Sequence, residues 1–256
     1  MDRNELYKET IYGHLKRLWW IVSQLEKEDI IVDLGCGTGS MITLPLCKMG
    51  YHLIGVDIDE KSIAFGKKCF CVEGIDSQIL TTKDITSLGI SADVLIASEV
   101  LEHLSERDLP VFINSIRRAL KPGGKLLVTV PNGFGWFEME SYLWFKTGIG
   151  RFLEWSKVAG LIDKLKRLIL GQDIEPLYVS TLSNSHHLQR FTYNSIRMVL
   201  EKNGFEVMGS TGSVLFAGPF SNMFLTGINS IMKLNCKLGD WFPRAASGFY
   251  IACKLP

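Results

Sequence analysis

Residues 30 to 39 read I-I-V-D-L-G-C-G-T-G, and the fold is decided there. A β-branched run, Ile30 to Val32, ends at an acid, Asp33, and glycines follow at alternate positions, Gly35, Gly37 and Gly39. A helix is expected to begin near Thr38 or Ser40. Strand, acid, glycine turn and helix in that order bring bare backbone and a helix N-terminus against a ligand.

Outward from that stretch, short apolar runs alternate with amphipathic ones. After the turn, Ser40 to Met49 reads as a helix kinked or shortened by Pro45, with Gly50 as its stop. Strands follow at His52 to Ile58, Ser77 to Thr81, Asp93 to Ser98 and Lys125 to Val130. Helices separate them at Glu60 to Cys71 and Glu106 to Leu120. This spacing predicts a mainly parallel sheet covered on both faces, with ligands outside the carboxyl ends of the strands. Those ends carry acids in turn: Asp33, Asp57, Asp84 and Glu99. Toward the C-terminus a helix is expected over Tyr193 to Lys202, then strands over Phe205 to Ser210 and Ser247 to Lys254, the last two as an antiparallel edge pair. The apolar stretch Val214 to Leu238 is interrupted by Pro219, Asn222, Asn229 and Lys233, which argues against a membrane span.

Three parts follow. Residues 1 to 28 form an N-terminal helical lid, in which Tyr7, Tyr12 and His14 either pack or reach a ligand. Residues 29 to 132 and 187 to 256 form the core. Residues 133 to 186, rich in aromatics and bases, form an inserted substrate lid. The insertion suits an apolar or ring-bearing acceptor, and its basic amphipathic helix suits an anionic group or a membrane surface. The 256 residues carry a net charge of only +1, which gives no bulk field to recruit nucleic acid. Six cysteines without a Cys-x-x-Cys pair read as reduced thiols, and the charged N-terminus lacks the apolar core of a signal peptide. A cytoplasmic protein, free or peripheral to the membrane, is expected.

The chemistry turns on one residue of spacing. A dinucleotide fingerprint is G-x-G-x-x-G, but position 40 is Ser40 and the third glycine falls early, at Gly39. Asp33 just before the glycines would repel a pyrophosphate and suits a cationic ligand end. Asp57, about 20 residues beyond the turn, suits paired ribose hydroxyls, and Asp84 an exocyclic amine. Amino acid, ribose and adenine together describe S-adenosylmethionine.

V-D-L-G-C-G-T-G (32 to 39), G-V-D-I-D (55 to 59), K-D-I (83 to 85), S-E-V-L-E-H-L (98 to 104) and L-K-P-G-G-K-L-L-V-T-V-P-N (120 to 132) resemble the successive motifs of class I S-adenosylmethionine-dependent methyltransferases. The resemblance implies a Rossmann-like α/β fold whose seven-stranded sheet has its last strand antiparallel. It also implies that the cofactor is held by Asp33, Gly35, Cys36, Gly37, Gly39, Asp57, Ile58, Asp84, Ile85, Ser98 and Glu99. The Asn/Asp-Pro-Pro-aromatic motif of amine methyltransferases is replaced by Ser98-Glu99-Val100-Leu101, so a hydroxyl of a small-molecule, lipid-linked or glycan acceptor is expected. Glu99, Glu102 and His103, with His187 downstream, are similar to the metal sites of ubiquinone-pathway O-methyltransferases and small-RNA 2′-O-methyltransferases. If residues 99 to 103 are helical, the first three share a face and offer donors to Mg²⁺ or another divalent metal. Otherwise Glu99 serves the cofactor region and His103 caps or packs. His187, His186 and His103 are the candidate bases or substrate contacts. RNA 2′-O-methylation and a non-catalytic cofactor-binding protein are the alternatives.

Overall fold

The computed structural model describes residues 9–76, 78–156, 158–170 and 187–256. Its strands are β1 (Ile31–Leu34), β2 (Leu53–Asp57), β3 (Ile79–Thr81), β4 (Ala92–Ser98), β5 (Leu120–Pro131), β6 (Glu206–Gly212) and β7 (Gly248–Lys254). They form one seven-stranded sheet in the order β3-β2-β1-β4-β5-β7-β6. The neighbours from β3 to β5 pair in parallel. β7 runs the other way, because the Gly123 N–H donates to Leu255 O while the Asn132 N–H donates to Ser247 O. β6 joins β7 in the same antiparallel sense, through Ser213 to Gly248 and Ser247 to Val214. The order reverses at β1 and β4, the switch point where open α/β sheets bind ligands.

Every residue of β1 is buried, as expected of a strand covered on both faces. On one side Leu18, Ile21 and Leu25 belong to a cluster with Ile31, Val94, Ile96 and Leu127. Leu44, Ile63, Phe70 and Ile79 form a second cluster. The helices are α1 (His14–Val22), α2 (Thr43–Lys48), α3 (Glu60–Val72), α4 (Asp108–Ala119), α5 (Trp136–Lys146), α6 (Ile149–Trp155), α7 (Val158–Leu170), α8 (Tyr193–Lys202), α9 (Pro219–Leu225) and α10 (Asn229–Trp241).

Several boundaries differ from the sequence reading. The helix after the glycine turn begins at Thr43, not Thr38 or Ser40, and Pro45 falls in its first turn, where a missing N–H is tolerated. α1 is nine residues long within the helical lid expected over residues 1 to 28, and residues 1 to 8 lie outside the described ones. β5 begins at Leu120 instead of the expected Lys125, so the Lys-Pro-Gly-Gly stretch opens the strand. The apolar stretch 214 to 238 holds α9 and most of α10. One of its polar residues is a fastener: buried Asn235 accepts from the Phe216 N–H at 2.7 Å and donates to Phe216 O at 2.7 Å. No helix among the described residues is long and apolar enough to cross a membrane.

The chain forms two compact units. The core unit comprises Leu18–Val130, Asn194–Ser210 and Tyr250–Pro256. The second comprises the described residues of Met1–Arg17, Pro131–Tyr193 and Thr211–Phe249. Residues 18 to 28 thus group with the core, and 211 to 249 with the inserted helices.

Inside the second unit Lys16 is a hub. Its ammonium donates to Gly212 O (2.9 Å), Ser213 O (2.6 Å) and Cys236 O (2.8 Å), and pairs with Asp240 at 2.8 Å. Glu9 caps α1 by accepting from the Leu15 and Lys16 N–H groups. Nearby His14 is held at about 4, below its ordinary 6.5, by burial first and by the Arg17 charge second. The unfolded chain therefore takes up a proton below pH 6.5 that the folded chain refuses until about pH 4. Stability falls as the pH drops through that window, by about 2 kcal/mol at pH 5. His14→Gln removes this loss: urea midpoints at pH 7.5 and 5 converge relative to the parent, and parallel pH slopes in the two proteins contradict the assignment.

Candidate active site

The cofactor residues expected from the sequence all fall in the core unit, at the carboxyl ends of β1, β2 and β4 and in the turn after β3. Gly35, Gly37 and Gly39 have φ of +65°, +57° and +73°, which explains their alternate spacing. The turn is fastened from within: the Cys36 N–H donates to Val56 O at 3.0 Å, and the Gly39 N–H to Cys36 O at 2.8 Å. A Cβ on Gly35 would lie 2.6 Å from Val100, and one on Gly39 would lie 3.0 Å from Phe70. At Gly37 it would meet nothing within 4 Å. Gly35 and Gly39 therefore serve packing as well as backbone handedness, whereas Gly37 faces open space. Gly37→Ala accordingly costs the fold only about 1–2 kcal/mol of backbone strain. Its S-adenosylhomocysteine affinity, measured by calorimetry, falls at least about tenfold, because the methyl group occupies the ligand's space. Unchanged affinity would move the ligand away from Gly37.

Asp57 organises the turn. Its Oδ2 accepts from the Gly37 N–H at 2.7 Å and its Oδ1 from the Asp59 N–H at 2.9 Å. Each oxygen keeps a further lone pair, so the carboxylate is aimed and still has capacity for two hydroxyls. Ile58 beside it is 70% exposed, an apolar platform for a flat ring. Asp33 is buried, with Thr43 Oγ1 donating to its Oδ2 at 2.7 Å, so it also ties the turn to α2. The Cys36 thiol is pushed up, chiefly by burial and then by the charges of Asp33 and Asp57, which keeps it protonated.

Asp84 caps the 3₁₀ turn Ile85–Leu88, accepting from the Thr86 N–H (2.9 Å) and Thr86 Oγ1 (2.7 Å). Those bonds hold its carboxyl below the usual range. Ile85, expected against the cofactor, is a buried core residue.

At the end of β4, Glu99 has φ of +57°, the one non-glycine positive φ among the described residues. Such a conformation at a strand end marks a functional turn. Thr129 on β5 donates from Oγ1 to Glu99 Oε1 at 2.9 Å, and its Oγ1 also lies 2.8 Å from Ser98 Oγ. The left-handed residue breaks any helix before the 3₁₀ turn Leu101–His103, so Glu99, Glu102 and His103 do not share a helical face as the sequence spacing suggested. Glu102 is fully buried, and its Oε1 lies 3.8 Å from His103 Nε2.

His187 belongs to the second unit, where its Nδ1 is 3.8 Å from Glu138 Oε1. Arg190 approaches the other Glu138 oxygen at 3.7 Å. His186 lies outside the described residues. Thr129 and Glu138 escape sequence reading. Thr129 leaves one trace, a polar residue inside an apolar strand; Glu138 leaves none.

A sheet in this order with a reversed last strand, carrying an acid, a left-handed glycine turn and a second acid at the switch point, defines a Rossmann-like S-adenosylmethionine-dependent methyltransferase. The chain belongs to the methyltransferase-domain family, whose profile matches residues 7–209. Over 104 residues it is 28% identical to a ubiquinone biosynthesis O-methyltransferase of Rhizobium etli, covering 40% of this chain and 41% of that protein. The matched stretch thus spans about two fifths of the length of such curated relatives. Among solved structures, the magnesium protoporphyrin IX methyltransferase of Synechocystis PCC 6803 with bound SAH has a TM-score of 0.55 at 16% identity, over 96% of this chain and 81% of that one. A SAM-dependent methyltransferase from Methanosarcina mazei has a TM-score of 0.54 at 18% identity, over 92% and 96%. At these identities the likeness is one of fold.

Proposed function

We propose that the chain transfers a methyl group to a hydroxyl oxygen of a small-molecule, lipid-linked or glycan acceptor. The observation that carries this reading is the residue at the end of β4, where Glu99, bent to φ +57° and bonded by Thr129, presents a carboxylate instead of an amide. A carboxylate suits a site that orders hydroxyls, and the likeness to O-methyltransferases over 104 residues supports it. The open Gly37, the aimed Asp57 and the exposed Ile58 fit the cofactor, whose contribution is a methyl carbon made electrophilic by the sulfonium. Asp57 holds the ribose and Ile58 the adenine. Acceleration comes largely from orientation, and a hydroxyl additionally needs somewhere to send its proton. His187 takes that proton, with the Glu138 carboxylate, 3.8 Å from its Nδ1, stabilising the imidazolium. The test is mass spectrometry of hydroxylated acceptors incubated with S-adenosylmethionine: a methyl ether supports the reading, and methylation confined to amines or thiols removes it.

Glu102 and His103 offer a carboxylate oxygen and an imidazole nitrogen, donor types that fit Mg²⁺ or another divalent metal, with Glu99 and His187 as further ligands read from the sequence. Full activity after exhaustive chelation, with no metal by elemental analysis, would sink that reading.

A second reading concerns location. Phe152, Trp155, Leu161 and Leu168 on α6 and α7 are exposed, alongside exposed Lys146 and Lys164. Exposed aromatic and aliphatic groups beside bases suit an anionic bilayer and a lipid-linked acceptor. Flotation with phosphatidylglycerol vesicles but not with phosphatidylcholine ones supports it; flotation with neither excludes it.

A further inference from the structure

Thr129 puts a hydroxyl into the apolar run Leu126 to Val130 of β5, and like its neighbours there it is fully buried. Valine has the same shape without the hydroxyl, and a buried hydroxyl is tolerated where it has bonds to make. Those bonds go to the end of β4. Ser98 lies opposite Thr129 in the sheet, and the Glu99 N–H donates to Thr129 O at 2.8 Å. Thr129 Oγ1 donates to Glu99 Oε1 at 2.9 Å and lies 2.8 Å from Ser98 Oγ. One residue of the neighbouring strand thus holds the left-handed Glu99 by backbone and by side chain.

A hydroxyl has one proton to give. Thr129 gives its own to Glu99, so in its contact with Ser98 it accepts and Ser98 donates. The direction of the chain of bonds is therefore fixed, from Ser98 through Thr129 to Glu99. Ser98 Oγ has spent its proton on Thr129 and has only lone pairs left, and a carboxylate accepts without donating. Ser98 and Glu99 are both half-buried, where β4 ends. Val100, next in the chain, lies against the glycine turn, since a Cβ on Gly35 would come within 2.6 Å of it. Ser98, Glu99, Thr129 and that turn all belong to the core unit.

We propose that Thr129 is a positioning residue that makes the end of β4 an acceptor-only subsite, which binds an N–H or O–H group of a ligand and rejects a carbonyl, ether or carboxylate oxygen in its place. Two sources supply such a donor: the ammonium at the amino-acid end of the cofactor, and a group of the acceptor beside the methyl. This rests on the reading of Glu99 as an active-site residue and specifies which hydrogen-bonding partner it takes.

The test compares Thr129→Val and Thr129→Ser with the parent, as full chains, by calorimetry with three ligands. Methylthioadenosine lacks the amino-acid end, S-adenosylhomocysteine adds its ammonium, and sinefungin adds an amine where the methyl would sit. In Thr129→Val one of the two gains in affinity along that series shrinks about tenfold, the size of one hydrogen bond to a charged group. Loss of the first gain assigns the donor to the cofactor, and loss of the second assigns it to the acceptor side. Serine keeps the hydroxyl and restores the gain, and methylthioadenosine affinity stays within about twofold throughout. Glu99→Gln puts an amide where the carboxylate was and shows the same loss with Thr129 intact, so it decides the matter if the valine protein does not fold. Both gains unchanged, no recovery in Thr129→Ser, or an equal loss for all three ligands overturns the proposal, the last by assigning Thr129 to the fold. Turnover is not read in this experiment, so failure of the O-methylation reading shows separately, in the product analysis.

Discussion

Asp57→Ala lowers the affinity for S-adenosylhomocysteine on the order of 100-fold, while the unfolding midpoint moves little. Two effects add. The carboxylate is oriented by the Gly37 and Asp59 N–H groups at 2.7 and 2.9 Å, and it keeps lone pairs for the ribose hydroxyls that the proposed cofactor site assigns to it. Two hydrogen bonds to a charged group contribute roughly 3 kcal/mol between them, about two decades of affinity. Losing the Gly37 tether also lets the turn relax from the shape that faces the ligand. The fold is spared because Asp57 ends its strand at the surface side of the turn and β2 keeps its parallel bonds to β1 and β3. Calorimetry on Asp57→Ala and Asp57→Asn separates the two contributions. The amide retains an acceptor for the Gly37 N–H but loses the charge, so its affinity falls between those of parent and alanine. A change below about threefold in the alanine protein would remove Asp57 from the cofactor site.

Lys16→Met destabilises the protein by about 3 kcal/mol, read as a lowered urea midpoint. The methionine keeps the aliphatic stem and deletes the ammonium, leaving Gly212, Ser213 and Cys236 carbonyls without their donor. The Lys16 side chain is only 13% exposed, so water replaces the lost bonds poorly. Its partner Asp240 is 48% exposed, and Asp240→Asn therefore costs under about 1 kcal/mol. The contrast is the diagnostic: equal losses in the two variants would mean that the ion pair, and not the carbonyl cage, holds α1 to this part of the chain.

The parallel core is legible in the sequence because its central strands are largely buried and so read as apolar runs, with β1, β2 and β4 closed by acids. Asp33, Asp57 and Glu99 stand out because a charged residue at the end of such a run has few structural reasons to be there. Spacing alone is silent about backbone handedness. Glu99, Glu102 and His103 look like one helical face until Glu99 is placed at φ +57°. Capping is equally hidden: Asp84 reads as a ligand for an amine, and the structure shows it also accepting from Thr86. The stretch 214 to 238 conceals two helices because Pro219 and Asn229 resemble loop residues in one dimension, whereas Pro219 occupies the first turn of α9 and Asn229 opens α10. Pairs made across long chain separations, such as His187 with Glu138 or Thr129 with Glu99, leave no periodic trace at all.

The cradle formed by the glycine turn and Asp57 is tested most directly by a crystal structure of the chain with S-adenosylhomocysteine. The account predicts the ribose hydroxyls within about 3 Å of the Asp57 carboxylate oxygens, the backbone of Gly37 against the ligand, and the adenine over Ile58. Ligand density anywhere else in the molecule, or a ribose that does not touch Asp57, would contradict it.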